Sequence, residues 1–134
     1  MGDQAYRALQ ELQAAVRRDP DVLAVILFGS AARGERGPAS DLDVCLVLTP
    51  EAARAGKKAM GEKRLDYLGR FPFDIQVFQQ LPVYIRPRVL RDGRVLLVKD
   101  EAQLYDLAYR TIKAFDDFRA AYDEYLAQVA RARS

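Results

Sequence analysis

Val22 to Phe28 reads VLAVILF, an unbroken apolar run, and Leu42 to Leu48 reads LDVCLVL, apolar but for one acid. A strand with one wet face alternates polar and apolar residues. A continuous run of this length, rich in β-branched residues, suits a strand covered on both faces. Two such strands imply a sheet flanked by helices, and the flanking sequence offers them. Leu9, Leu12 and Val16, with Ala5 or Tyr6 ahead of them, recur at helical spacing, and Asp3 is placed to act as the N-cap. Asp19-Pro20-Asp21 breaks that helix just before the first run. Thr49-Pro50-Glu51 reads as a second helix start, with proline at the first helical position, running towards Gly69 and weakened by Gly56 and Gly61.

Further along, Phe73–Phe78 (FDIQVF) reads as a third strand, Asp92-Gly93 as a turn, and Arg94–Lys99 (RVLLVK) as a fourth strand. A long helix is expected from about Glu101 to about Ala130. Between the first two strands, Ala31 to Arg36 reads as a short helical segment ended by Gly37-Pro38. There is no internal repeat, low-complexity stretch or linker. At 134 residues the expectation is a single domain, 1–134, of α/β class.

Composition narrows the chemistry. The chain has no histidine, which removes Ser-His hydrolases, most zinc enzymes and imidazole acid–base catalysis together. Catalysis must come from carboxylates, basic side chains, hydroxyls or a bound metal. The single cysteine, Cys45, lies in an apolar run and reads as an inert core residue that cannot form an internal disulfide. A net charge of +2 is too small to argue for nucleic acid or an anionic membrane by bulk electrostatics. No segment reads as a signal peptide or approaches the length that spans a bilayer, so a cytoplasmic protein is expected.

Two short motifs stand out. Asp41 and Asp43 are two apart at the start of the second strand, so their side chains point to one face. Two acids converging there repel each other unless a cation neutralises them, and Mg²⁺ is a hard ion suited to oxygen ligands. The alternative is a pair of turn or capping aspartates. Gly29-Ser30 ends the first strand, where glycine lets the backbone approach a ligand and the following N–H groups and serine hydroxyl can hold phosphate oxygens. A plain Gly-Ser turn is the alternative. Neither motif decides the matter alone.

Together they do more. Gly29-Ser30, ten residues, then Asp41-Leu42-Asp43 resembles the GS-x10-D-x-D signature of the DNA polymerase β-like nucleotidyltransferases, and most resembles their minimal, single-domain MNT branch. The stretch FGSAARGERGPASDLDVCLVL agrees beyond the bare spacing. The family has a third carboxylate on a later strand, and Asp74 in FPFDIQVF stands in that place. The similarity runs loosely through most of residues 1–130. It implies a mixed, partly antiparallel four-stranded sheet flanked by helices, with a long C-terminal helix.

The topology follows in part from the site. If Gly29-Ser30, at the end of strand one, shares a site with Asp41 and Asp43, at the start of strand two, those strands run antiparallel. Asp74, near the start of its strand, makes strands two and three parallel, with the intervening helix as crossover. The resemblance implies that Asp41, Asp43 and Asp74 hold two Mg²⁺ ions, with Asp74 on the acceptor side, and that Gly29 and Ser30 hold the triphosphate of ATP. Arg33, one short turn beyond Ser30, is within reach of the triphosphate or is simply solvated. Arg86, Arg88, Arg91 and Arg94 form a basic cluster that grips triphosphate, RNA or an acidic partner, or is solvated surface.

Leu104, Ala108, Thr111, Phe115, Phe118, Tyr122, Tyr125 and Val129 mark one apolar stripe along the last helix. Part of it packs on the sheet, while the distal aromatic half is left for another subunit or partner. The resemblance points the same way, since MNT proteins are commonly encoded beside HEPN-domain proteins. In these HEPN/MNT (type VII) toxin–antitoxin systems the MntA-type antitoxin adenylylates a tyrosine of the HEPN ribonuclease toxin. The expectation is therefore a protein adenylyltransferase antitoxin with a HEPN-domain partner and no direct nucleic-acid contact. Two alternatives remain: an antitoxin acting by stoichiometric occlusion, or a nucleotidyltransferase for a small molecule such as an aminoglycoside.

Overall fold

The two apolar runs form the centre of a four-stranded sheet. The computed structural model describes residues 2–29 and 42–133. Along the chain these form α1 (Asp3–Arg18), β1 (Val22–Phe28), β2 (Asp43–Leu48), α2 (Pro50–Arg54), α3 (Lys57–Arg70), β3 (Asp74–Val77), a 3-10 turn (Phe78–Gln80), α4 (Arg86–Asp92), β4 (Arg94–Val98) and α5 (Glu101–Arg133). The strand order is β3-β2-β1-β4. β1 runs antiparallel to β2 and β4, and β2 runs parallel to β3. This is the mixed, partly antiparallel sheet expected, with α2 and α3 forming the crossover between the parallel strands.

The sheet is covered on both faces, which is why its central strands are apolar throughout. Val25 and Leu27 of β1, Val44, Leu46 and Leu48 of β2, and Ile75 and Val77 of β3 pack with Leu9, Leu12 and Val16 of α1 and Met60 and Tyr67 of α3. Ile26, Cys45 and Val47 point the other way and pack with Phe78, Leu81 and Val89, with Phe28, Ile85, Leu104 and Leu107 against them. Thus α1 to α3 cover one face, and α4 with the start of α5 covers the other.

Several expectations change. α1 is capped by Gly2 without a side-chain hydrogen bond, so Asp3 is its first residue rather than its N-cap, and Ala5 rather than Tyr6 takes the inner position. The single helix expected from Pro50 to Gly69 is two, broken at Ala55–Gly56, while Gly61 is accommodated inside α3. Thr49 caps α2 through a hydrogen bond from the Ala52 amide at 3.2 Å. α4 has no counterpart in the expected elements. Pro87 is tolerated because it falls in the first turn, where no intrahelical N–H bond is lost. β3 is shorter than expected, since Phe78 turns into the 3-10 segment. There the Gln79 side-chain amide bonds both the N–H and the C=O of Leu48, at 3.1 and 2.8 Å, continuing the pairing where β3 stops.

α5 contrasts with the rest. Its 33 residues extend about 50 Å, longer than a domain of this size is wide. None of its residues is buried, and its contact with the core is made through Leu104 and Leu107. Tyr105, Tyr109, Ile112, Phe118, Tyr122 and Tyr125 are exposed, with the Phe118 and Tyr122 rings stacked at 6.2 Å. No helix among the described residues is long and apolar enough to cross a membrane.

Candidate active site

The site begins where β1 ends. Gly29 takes φ 73, in the left-handed region that side chains avoid. A second constraint acts on the same residue: a Cβ built there would collide with the carboxylate of Asp43. The cause is the antiparallel register, which sets Phe28 opposite Asp43 and leaves Gly29 beside the acid. Glycine is therefore required by backbone conformation and by close approach together.

The parallel register then sets Asp43 opposite Asp74, and the Asp74 amide donates to the Leu42 carbonyl at 3.0 Å. Side chains alternate along a strand. Val44 and Ile75 face α1 and α3, so Asp43 and Asp74 both project from the face that carries Phe28 and Cys45. The two acids sit on adjacent strands, about 4.8 Å apart in backbone spacing. Asp43 is half-buried and Asp74 exposed. Among the described residues Asp74 takes part in no salt bridge, and it accepts a hydrogen bond from the neutral Gln76 amide at 3.2 Å.

This donor set fits a hard cation. Two neighbouring carboxylates repel until a positive charge lies between them, and oxygen ligands suit Mg²⁺ or a similar ion. Cys45 follows on the same face but is fully buried. Burial pushes its thiol up, keeping it protonated and outside any ligand set. Among the described residues no group of three or more histidine, cysteine or acidic side chains gathers. The third acid expected in the site, Asp41, lies outside the described residues, as do Ser30 and Arg33.

The basic cluster separates into individual roles. Arg86 is structural: its guanidinium donates to the carbonyls of Leu81 at 2.8 Å and Gln79 at 2.9 Å, and burial lowers its pKa. Arg91 pairs with the adjacent Asp92 at 2.9 Å in full solvent. Arg94 faces α1, lining a cavity with Tyr6, Gln10 and Arg17. Arg88 alone of the four lines a cavity with Gly29, a cleft of about 480 Å³ between the end of β1 and α4. Sequence reasoning grouped these arginines because it did not see α4, which turns them in different directions.

A second charged cluster lies at the opposite end of the sheet. Lys63 donates to Asp19 at 3.1 and 3.0 Å and pairs with Asp21 at 3.0 Å. Tyr67 donates to Asp19 at 2.8 Å, and Lys99 donates to the Asp19 carbonyl. Burial alone would raise the Asp19 carboxyl, but hydrogen bonds from Lys63, the Asp21 amide and Tyr67 outweigh it and hold it below its ordinary value. Burial and the bond to Asp19 push the Tyr67 hydroxyl up.

The fold and the Gly29–Asp43–Asp74 arrangement describe a nucleotidyltransferase, and the comparisons agree. Residues 10–102 match the polymerase beta nucleotidyltransferase family, and the chain belongs to it. It is 30% identical over 98 residues to the "putative protein adenylyltransferase MJ1547" of Methanocaldococcus jannaschii, covering 72% of this chain and 71% of that protein. Its fold is shared by a chain of a toxin–antitoxin complex with AMP-PNP, at TM-score 0.62 and 17% identity over 92% of this chain and 97% of that one. It is shared too by a chain of the complex of tri-AMPylated Shewanella oneidensis HEPN toxin with MNT antitoxin, at TM-score 0.62 and 16% identity over 94% and 98%.

Proposed function

We propose that this chain, acting as one minimal domain in the cytoplasm, moves AMP from ATP onto a hydroxyl of a protein partner, a tyrosine of a HEPN-domain toxin, and so serves as an antitoxin. The observation that carries the reading is the register that brings Asp43 and Asp74 to one face of the sheet, with Gly29 pressed against Asp43. Ser30 and the backbone at Gly29 hold the β- and γ-phosphates, with Arg33 in support. Asp41, Asp43 and Asp74 hold Mg²⁺, which when bound offsets the charge that builds on the phosphorus oxygens and the leaving group.

In the transfer, the acceptor oxygen forms a bond to the α-phosphorus, and the bond from that phosphorus to the β-bridging oxygen breaks, releasing pyrophosphate. The acceptor's proton passes to a base. Asp74 is the candidate, being exposed and free of any cationic partner among the described residues. The related Methanocaldococcus protein's name supports a protein acceptor, and the shared fold with chains of HEPN toxin complexes supports the kind of partner. The distal half of α5 supplies the docking face, through Phe118, Tyr122 and Tyr125.

Docking by α5 also suits the second reading, occlusion without catalysis, because an aromatic face works equally well for either. The test is to incubate the chain with Mg²⁺, ATP and the HEPN-domain protein encoded beside it, and to weigh the partner intact. Transfer adds multiples of the AMP mass, and Asp74→Asn prevents the addition while leaving the complex formed. A partner silenced equally by the Asp43→Asn chain, with no mass added, establishes occlusion instead.

A further inference from the structure

We infer that the cleft between α4 and the end of β1 seats the nucleoside of the donor nucleotide, with Arg88 as its contact to the base. This rests on the nucleotidyl-transfer reading and assigns a part of the substrate that the carboxylates and Gly29 do not touch. Position is the first ground. The cleft is lined by Phe28, Gly29, Ile85, Arg88, Val89 and Asp92. Phe28 is the cross-strand partner of Asp43, and paired residues share a face, so the cleft opens on the side of the sheet from which the acids project. Gly29 belongs to both, and a nucleotide with its phosphates there has its remainder within reach of the cleft.

Chemistry is the second ground. Phe28, Ile85 and Val89 give the cleft apolar walls, and Arg88, exposed on α4, adds a planar cation. An aromatic base buries its faces against apolar groups and is attracted to a guanidinium laid over it. A polyphosphate needs several donors, and this lining offers one cation, Arg88; Asp92 is paired with Arg91. The cleft's volume of about 480 Å³ falls in the range of small-molecule sites, about 300–1,000 Å³.

Preorganisation is the third. Arg86 ties the start of α4 to the Gln79 and Leu81 carbonyls. At its other end a Cβ on Gly93 would strike the Val89 carbonyl and Ile26, so glycine lets α4 press directly on β1. The wall that carries Arg88 is fixed at both ends before any ligand arrives.

Calorimetric binding of ATP and of tripolyphosphate to the wild-type and variant chains, with Mg²⁺, tests the assignment. Arg88→Ala should weaken ATP about tenfold, the size of one partly desolvated cation–π contact, and leave tripolyphosphate unchanged. Arg88→Lys should recover less than half of the loss, because a point charge does not lie over a ring as a guanidinium does. Equal weakening of both ligands, unchanged ATP binding, or full rescue by lysine each overturns the cleft assignment while leaving the transferase reading in place. A wild-type chain that binds neither ligand removes that reading itself.

Discussion

The two ends of the sheet carry acids in different company. Before β1 begins, Asp19 is held by Lys63 and Tyr67, with the Asp21 amide donating at 3.0 Å. Lys63 bridges it to Asp21 and so ties α3 to the turn after α1. Where β1 ends, Asp43 and Asp74 stand side by side, with a glycine packed against one and a neutral amide donating to the other. At the first end the acid is held by a cation and a hydroxyl, whereas Asp74, exposed, takes only a neutral amide among the described residues. An exposed acid so placed, beside a second acid on a face next to an open cleft, has the setting expected of a ligand site. Charge alone does not identify a site; the kind of partner does.

The sharpest way to break this contrast is to neutralise one acid at each end. Asp43→Asn should lower AMP transfer by at least about a thousandfold, the several kcal/mol that metal-assisted charge stabilisation supplies, with the chain still folded. Asp19→Asn should do the reverse: transfer unchanged, stability reduced by about 1–3 kcal/mol through weakened hydrogen bonds to a charged group. Denaturant unfolding and a pyrophosphate-release assay read both. Loss of activity in the Asp19 variant at temperatures where it stays folded would remove the division of roles. Gly29→Val should harm both properties, since positive φ costs a side chain about 1–2 kcal/mol and the collision displaces the Asp43 carboxylate.

Acid sharpens the difference further. Asp19 has a folded pKa below its unfolded value, so its contribution is complete above about pH 4 and is lost as pH falls through the folded pKa. Lys63 is the mirror case. Burial lowers its pKa, but hydrogen bonds to Asp19 and Asp21 prevail and raise it. Its contribution is therefore complete below its unfolded value, about 10.4, and lost as pH rises through the folded one. Melting curves of Asp19→Asn should show less loss of stability than wild type between about pH 4 and pH 2.

What the sequence made legible follows the same division. β1 and β2 could be read because burial on both faces leaves no polar residue to interrupt them, and the site motifs fixed their relative direction. Asp74 came from the family resemblance, which places a third carboxylate on a later strand. α4 was not: Pro87 and its arginines hide a short helix with one buried residue, Val89. The Asp19–Lys63 bond joins residues far apart in the chain, and neither shows any local pattern that announces the other. The close approach of Gly29 to Asp43 is a product of strand register, which the Gly-Ser motif hints at but does not specify. Ser30, Arg33 and Asp41 lie outside the described residues, so their part in the site rests on the motif.

The finest comparison pairs two hydrogen bonds of one kind, each from a neutral donor to a carboxylate. Tyr67 reaches Asp19 at 2.8 Å in a part-buried setting, and Gln76 reaches Asp74 at 3.2 Å in an exposed one. Tyr67→Phe should cost about 1 kcal/mol of stability and leave the transfer rate alone. Gln76→Leu should cost less than about 0.5 kcal/mol, as expected of an exposed substitution, because water replaces the lost donor. Its effect belongs to the chemistry: Asp74 loses the donor that orients its carboxylate, so the transfer rate should fall while the fold holds. The fall should be no more than about threefold, the equivalent of a weak exposed hydrogen bond. If Gln76→Leu lowers the melting temperature as much as Tyr67→Phe and leaves the transfer rate unchanged, Asp74 is a structural acid like Asp19, and the distinction between the two ends fails at that residue.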